Sequence, residues 1–222
     1  VIESGGSGLR TPPATAIVLA GGRSSRFGRD KLVEPIDGRP LLHHTLIAVS
    51  AVVRDIVIVL APDAPPPDLP EPRGFTAAVR FVRDPEAFGG PLAALGAAID
   101  WAAEPLALVV GGDMPGLQPE VLSSMLRALE AGHHDAVILA QRGRRHPLPA
   151  AVRVGAATSA LRGAVADGDR ALLALFDRLS TRALDDWEWR PFDPEGRTLR
   201  DIDTPADLGA NSRSPGSRPT GS

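Results

Sequence analysis

The chain has no cysteine in 222 residues. That absence excludes a disulfide framework and any thiolate zinc site. It has no uninterrupted apolar run of the twenty or so residues a membrane helix needs. It has no excess of positive charge either: 24 basic against 27 acidic residues give a net charge of −3, which argues against a nucleic-acid surface built on bulk charge. The N-terminal stretch lacks the charged-then-apolar pattern of a secretion signal, so the cytoplasm is the expected location. Two phosphate-binding signatures are missing as well. There is no Gly-x-Gly-x-x-Gly after a strand, and no Gly-x-x-x-x-Gly-Lys-Ser/Thr loop.

What is present is a 43% apolar composition, ordinary for a globular protein, and a length that suits one domain with a substantial core. Apolar runs at Ala16–Leu19, Asp55–Leu60, Val79–Val82, Leu106–Val110, Asp135–Ala140 and Ala150–Val154 read as strands, several of them buried on both faces. Thr181–Leu184 reads as a last short strand. Helical spacing covers Leu41–Val53, with Leu41, Leu42, Leu46, Ile47 and Val49 near one face. It returns over Leu92 to about Ala102, Pro119–Ala131, Ala156–Val165 and Arg170–Leu179. Pro91 suits the first turn of its helix, and Gly132 stops the one before it. The proline-dense segment 61–72 reads as an extended surface loop.

Strands alternating with helices predict an α/β fold: a single three-layer domain with a mostly parallel sheet, spanning about residues 14–209 between flexible tails at 1–13 and 210–222. In such sheets ligands bind beyond the carboxyl ends of the strands. The segment that fits this rule best is Leu19-Ala20-Gly21-Gly22-Arg23-Ser24-Ser25-Arg26-Phe27-Gly28-Arg29-Asp30-Lys31, directly after the first strand. Glycines let the backbone approach a ligand closely, and successive N–H groups in such a turn form an anion nest. Arg26 and Lys31 add positive charge, so a polyphosphate suits the loop. Asp113 follows another buried strand and two glycines, where a carboxylate faces the crevice and suits Mg²⁺, which takes one or two carboxylates together with substrate phosphates. Asp84 ends a third strand; standing before Pro85, it is equally suited to forming a turn.

The segment from Leu19 to Lys31 resembles the signature of nucleotidyltransferases that use a nucleoside triphosphate, and most closely the molybdenum cofactor guanylyltransferases. Asp113-Met114-Pro115 is similar to the family's Asp-x-Pro, and Gly90-Pro91-Leu92-Ala93-Ala94-Leu95 to its Gly-Pro-Leu-Ala helix start. The resemblance implies a Rossmann-like nucleotidyltransferase fold and transfer of GMP from GTP to the phosphate of molybdenum-bearing molybdopterin, with Mg²⁺ or Mn²⁺. It implies catalytic roles for Arg26, Lys31 and Asp113. Nucleotide contacts are implied for Leu19, Ala20, Gly21, Gly22, Ser24, Lys31, Asp84 and Asp113, and metal ligation for Asp113 and Asp203. Arg145 and His146, from the Arg144-Arg145-His146-Pro147 turn, and Arg170, from Gly168-Asp169-Arg170, are the implied pterin-substrate contacts. A solvated basic turn and helix capping by Asp169 explain these two segments without function.

The resemblance also implies hand-over to other proteins of molybdenum cofactor biosynthesis and to acceptor molybdoenzymes, with neither nucleic acid nor membrane as partner. Two positions depart from the guanylyl pattern. Asp201-Ile202-Asp203-Thr204-Pro205 is closer to cytidylyl relatives, and Val59 stands where some guanylyltransferases have a nucleotide-binding asparagine. A CTP-using enzyme, another phosphate acceptor and a catalytically silent nucleotide-binding carrier or sensor therefore stay open. His43-His44 are adjacent and cannot chelate one metal from one helical face. Trp187-Glu188-Trp189 reads as one face of a strand or an edge cover.

Overall fold

The computed structural model describes residues 10–21, 31–71, 75–84, 89–202 and 207. They build a seven-stranded sheet. In chain order the strands are β1 (Thr15–Leu19), the two-residue pair β2 (Pro35–Ile36) and β3 (Arg39–Pro40), β4 (Asp55–Leu60), β5 (Ala78–Arg83), β6 (Leu106–Gly111), β7 (Ala136–Gln141), β8 (Arg144–Arg153) and β9 (Thr181–Leu184). The helices are α1 (Leu41–Ser50), α2 (Pro91–Ala98), α3 (Pro119–Ala131), α4 (Val154–Ala166), α5 (Leu172–Asp177) and α6 (Asp186–Trp189).

The large sheet runs β5-β4-β1-β6-β8-β7-β9, while β2 and β3 form a separate hairpin. All neighbours in the large sheet are parallel except β8, which runs antiparallel to both β6 and β7. The alternation of side chains sorts the core into two layers. Ala16 and Val18 of β1, Ile56 and Ile58 of β4, and Leu108 and Val110 of β6 pack with α1 and α3. Ile17, Val57, Val59, Ala107 and Val109 face the other way, onto α2, α4 and α5. A sheet covered on both faces explains why these strands read as unbroken apolar runs.

Helix α3 shows how local sequence and packing agree. Pro119 opens it, and Val121, Leu122, Met125, Leu126 and Leu129 form its buried stripe, the spacing of an amphipathic helix. At its far end Arg153 of β8 donates to the carbonyls of Leu129 at 2.8 Å and Gly132 at 3.0 Å, satisfying groups the last turn leaves open.

Four expectations change. The expected turn Arg144–Pro147 is instead the first part of strand β8, with Arg144 paired to Gln141 and Arg145 to Ala140 of β7. In α1 the buried face includes Thr45, whereas Ile47 is only half-buried. Asp169 caps no helix: α5 starts at Leu172, and the Asp169 carboxylate instead accepts from Arg178 at 3.1 Å. The Trp187–Trp189 pair lies on a short helix. Asp185 and Glu188 form a capping box that starts α6, so residues two apart diverge. Trp189 is fully buried and donates to the carbonyl of Ala140 at 3.0 Å, while Trp187 is 76% exposed.

Strand order fixes where a ligand can bind. The chain goes outward from β1 to β4 and β5, then returns through α2 to β6 on the other side of β1. That reversal opens a crevice at the carboxyl ends of β1 and β6. Leu19 and Gly111, the last residues of the two strands, are register partners.

Candidate active site

The turn after β1 is threaded between the ends of its neighbours. Ala20 N–H donates to Val59 O at 2.9 Å, and Leu19 O accepts from Gly112 N–H at 3.0 Å. Gly21 passes so close to β4 that a Cβ there would lie 3.3 Å from the backbone nitrogen of Ala61. Leu19, Ala20 and Gly21 thus sit at the switch point. Gly22, Ser24 and Arg26 lie outside the described residues, as does Asp203.

Lys31 returns to the crevice on a single 3-10 turn, Lys31–Val33. Its Nζ donates to Asp113 Oδ2 at 2.6 Å and to Ile202 O at 2.8 Å. Residues 82 positions apart in sequence therefore share one charge pair. The two side chains are 13% and 24% exposed, so the pair opens to the crevice without being fully solvated. The turn carrying Asp113 needs its glycines: a Cβ on Gly111 would stand 2.5 Å from Asp113 Oδ1, and one on Gly112 would touch Leu42, Leu32 and Leu19 O.

Ile202 closes the arrangement from the C-terminal side. Its N–H donates to Asp113 O at 3.0 Å, its carbonyl holds Lys31, and its side chain is buried with Ile36 and Leu41 against Leu32. The sequence reading does not single out Ile202, because its contribution is backbone and no side-chain motif marks it.

The remaining candidates do not all reach this rim. Asp84 is buried at the end of β5 with its N–H on Leu60 O. Gly90, at φ +89°, packs against Arg170, whose carbonyl accepts from Leu92 N–H at 3.4 Å. Arg170 is thereby held at the start of α2, beyond the end of β5. The Arg145–His146 pair is split by strand alternation. Arg145 forms an exposed ion pair with Asp177 of α5 at 2.8 Å, on the α2–α4–α5 side of the sheet. His146, half-buried, faces Asp201 and Asp186; burial and the neighbouring Arg144 charge hold its pKa below the usual 6.5, against the pull of the two carboxylates. His146 thus feels the Asp201 charge, whereas Arg145 is paired with Asp177. Val59 has its side chain wholly inside the sheet core, and this strand end meets the turn only through backbone, the Val59 carbonyl and the Leu60–Ala61 peptide.

Adjacent His43 and His44 diverge as helical geometry demands, His43 Nε2 donating to Asp68 O at 2.8 Å and His44 Nε2 to Ile36 O at 2.9 Å. No three His, Asp or Glu residues among those described converge as a metal cage. Among the described residues the rim offers the partly exposed Asp113 carboxylate, with its hard oxygens. That donor set fits Mg²⁺ held jointly with substrate phosphates and does not fit an all-protein site.

Gly21, Lys31 and Asp113 meet at the switch point of an α/β sheet, the place where such folds bind ligands. Residues 16–183 match the family model described as a MobA-like NTP transferase domain. The chain belongs to that family and is a nucleotidyltransferase. It is 33% identical over 199 residues to a protein of Mycobacterium avium named "probable molybdenum cofactor guanylyltransferase", covering 87% of this chain and 92% of that one. A Chloroflexus aggregans protein of the same name is 30% identical over 200 residues, covering 87% of this chain and 91% of that protein.

Among solved structures, molybdopterin-guanine dinucleotide biosynthesis protein A from Archaeoglobus fulgidus superposes with a TM-score of 0.72 at 26% identity, over 89% of this chain and 96% of that one. The 2-C-methyl-D-erythritol 4-phosphate cytidylyltransferase of Thermus thermophilus shares the fold, with a TM-score of 0.61 at 19% identity over 88% of this chain and 96% of that one. No helix among the described residues is long and apolar enough to cross a membrane.

Proposed function

We propose that this chain transfers GMP from GTP to the terminal phosphate of molybdenum-bearing molybdopterin, releasing pyrophosphate, in the cytoplasm. The observation that carries the reading is the Lys31–Asp113 pair at the carboxyl ends of β1 and β6 in a chain of this family. The names carried by its relatives support guanine and molybdopterin as the substrates.

The acceptor phosphate is itself the nucleophile. One of its oxygens bonds to the α-phosphorus of GTP, the bond from that phosphorus to the bridging oxygen breaks, and pyrophosphate leaves with the electron pair. No side chain needs to become covalent, so the protein's work is positioning and charge neutralisation. The backbone of Leu19–Gly22 and the hydroxyl of Ser24 hold the triphosphate. Lys31 and Arg26 offset its charge, and Asp84 contacts the nucleotide from the end of β5. Asp113 and Asp203 are the residues that would hold Mg²⁺, which supplies Lewis-acid neutralisation of the phosphate oxygens when bound. His146 and Arg170 face the acceptor from the two flanks of the rim. Arg145, tied to Asp177 on the far face, contributes only if that exposed pair opens.

Pyrophosphate release with a molybdopterin-derived acceptor, Mg²⁺ and each of the four triphosphates in turn tests the reading. Release with GTP alone is expected. Release with CTP alone would overturn the guanine assignment, and nucleotide binding without release would make the chain a silent carrier.

A further inference from the structure

We propose that Thr45 is a positioning residue for Asp113, fixing the turn that presents the carboxylate to metal and triphosphate; the proposal rests on the nucleotidyltransferase reading above. Thr45 lies in the middle of α1 and is fully buried. Its hydroxyl is 3.2 Å from Gly112 O and 3.2 Å from Met114 O. These are the carbonyls on either side of Asp113. A hydroxyl has one proton, so the two acceptors share it in a three-centre bond.

A threonine inside a helix commonly turns its hydroxyl back onto its own preceding turn. Here both hydrogen bonds cross to another element. The surroundings are apolar, since Leu42, Leu46 and Val49 share the same core cluster. Valine has the same shape and would fill this position if packing were the only requirement. The hydroxyl is the feature that packing does not explain.

The other bonds of the turn say what it holds. Gly112 N–H is tied to Leu19 O, Gly111 N–H approaches Met114 Sδ at 3.4 Å, and Asp113 O is tied to Ile202 N–H. Thr45 draws the Gly112 and Met114 carbonyls inward, beneath the rim and away from the anionic phosphates. Without its proton two buried acceptors lose their donor. Rotation of the turn is the available remedy, and it carries Asp113 with it. The carboxylate is also anchored by Lys31. Once a triphosphate draws on the Lys31 charge, the backbone of the turn has to hold Asp113 in place, so the contribution of Thr45 is largest in the loaded state.

The test compares Thr45→Val, Thr45→Ala and Thr45→Ser. Binding of Mn²⁺ in the presence of GTP is followed by loss of the free-ion EPR signal, with kcat and KM for GTP from pyrophosphate release and thermal unfolding without ligand. Loss of groups that orient a metal ligand typically costs about 10-fold or more in affinity. The Val and Ala variants are therefore expected to bind Mn²⁺ about 10-fold more weakly and to lose kcat more than they raise KM. Ser, which keeps the hydroxyl, stays within about twofold of the parent. Should the Val variant fail to fold, Ala against Ser still isolates the hydroxyl. Val and Ala variants that bind like a binding-competent parent, or a Ser variant that falls with them, overturn the role of Thr45 alone. A parent protein that binds no Mn²⁺ with GTP, as measured beside Asp113→Asn, overturns the functional reading and this proposal with it.

Discussion

The Lys31–Asp113 pair can be tested in the ligand-free protein by a double-mutant cycle of Lys31→Met and Asp113→Asn, both close in volume to the residues they replace. Two unit charges 2.6 Å apart attract by about 1.6 kcal/mol in bulk water and about 6 kcal/mol at an effective dielectric constant of about 20. Side-chain exposures of 13% and 24% put the pair between these limits. Removing both groups from water offsets much of the attraction, which leaves a net coupling of about 1–2 kcal/mol. For a chain of this size each kcal/mol moves the melting temperature by roughly 2–4 °C. Urea unfolding of the parent, both single variants and the double variant gives the coupling directly. The double variant is expected to lose less stability than the two single variants together. A coupling below about 0.3 kcal/mol, within ordinary additivity, would show that the charges do not meet before ligand arrives. In the same preparations Asp113→Asn should lower turnover by about 10³-fold, an effect far larger than its change in stability.

Two further substitutions separate folding from function. Gly111→Ala places a Cβ 2.5 Å from Asp113 Oδ1; because the obstacle is the end of a side chain, the carboxylate moves and the fold survives. Turnover should fall about 10²-fold with a stability change within about 1 kcal/mol, and full activity would refute the assigned carboxylate position. His146 has its pKa held below 6.5 in the folded protein, first by burial and then by Arg144. As pH falls through 6.5 the unfolded chain takes up that proton first. The contribution of His146 to stability is therefore complete above 6.5 and is lost from there toward its lower folded value. His146→Gln should flatten this part of the stability–pH curve, and an unchanged slope would contradict the environment described for the imidazole.

The sequence by itself determined most of the elements and brought Lys31 and Asp113 forward as candidates. Apolar runs at Asp55–Leu60 and Thr181–Leu184 and the amphipathic Pro119–Ala131 appear in the structure with the same bounds, because strands buried on both faces and helices buried on one leave direct periodic traces. Asp113 was legible for a related reason: it stands next to glycines that a strand end requires when a carboxylate passes closely, whereas Lys31 was legible as a positive charge closing the glycine-rich segment after β1. Local pattern gave no such trace of tertiary pairing. Trp187 and Trp189 alternate like a strand, yet the Asp185–Glu188 capping box folds them into a helix. Arg145 and His146 read as one turn, but strand alternation sends them to opposite faces. Thr45 read as one more residue of a mostly apolar helix, and its hydroxyl gains a meaning only when β6 brings the Gly112–Met114 turn above it. Ile202 acts through backbone groups that every residue carries. Sequence records which side chains must be apolar, flexible or charged, whereas hydrogen bonds between distant backbones depend on which elements the fold makes neighbours.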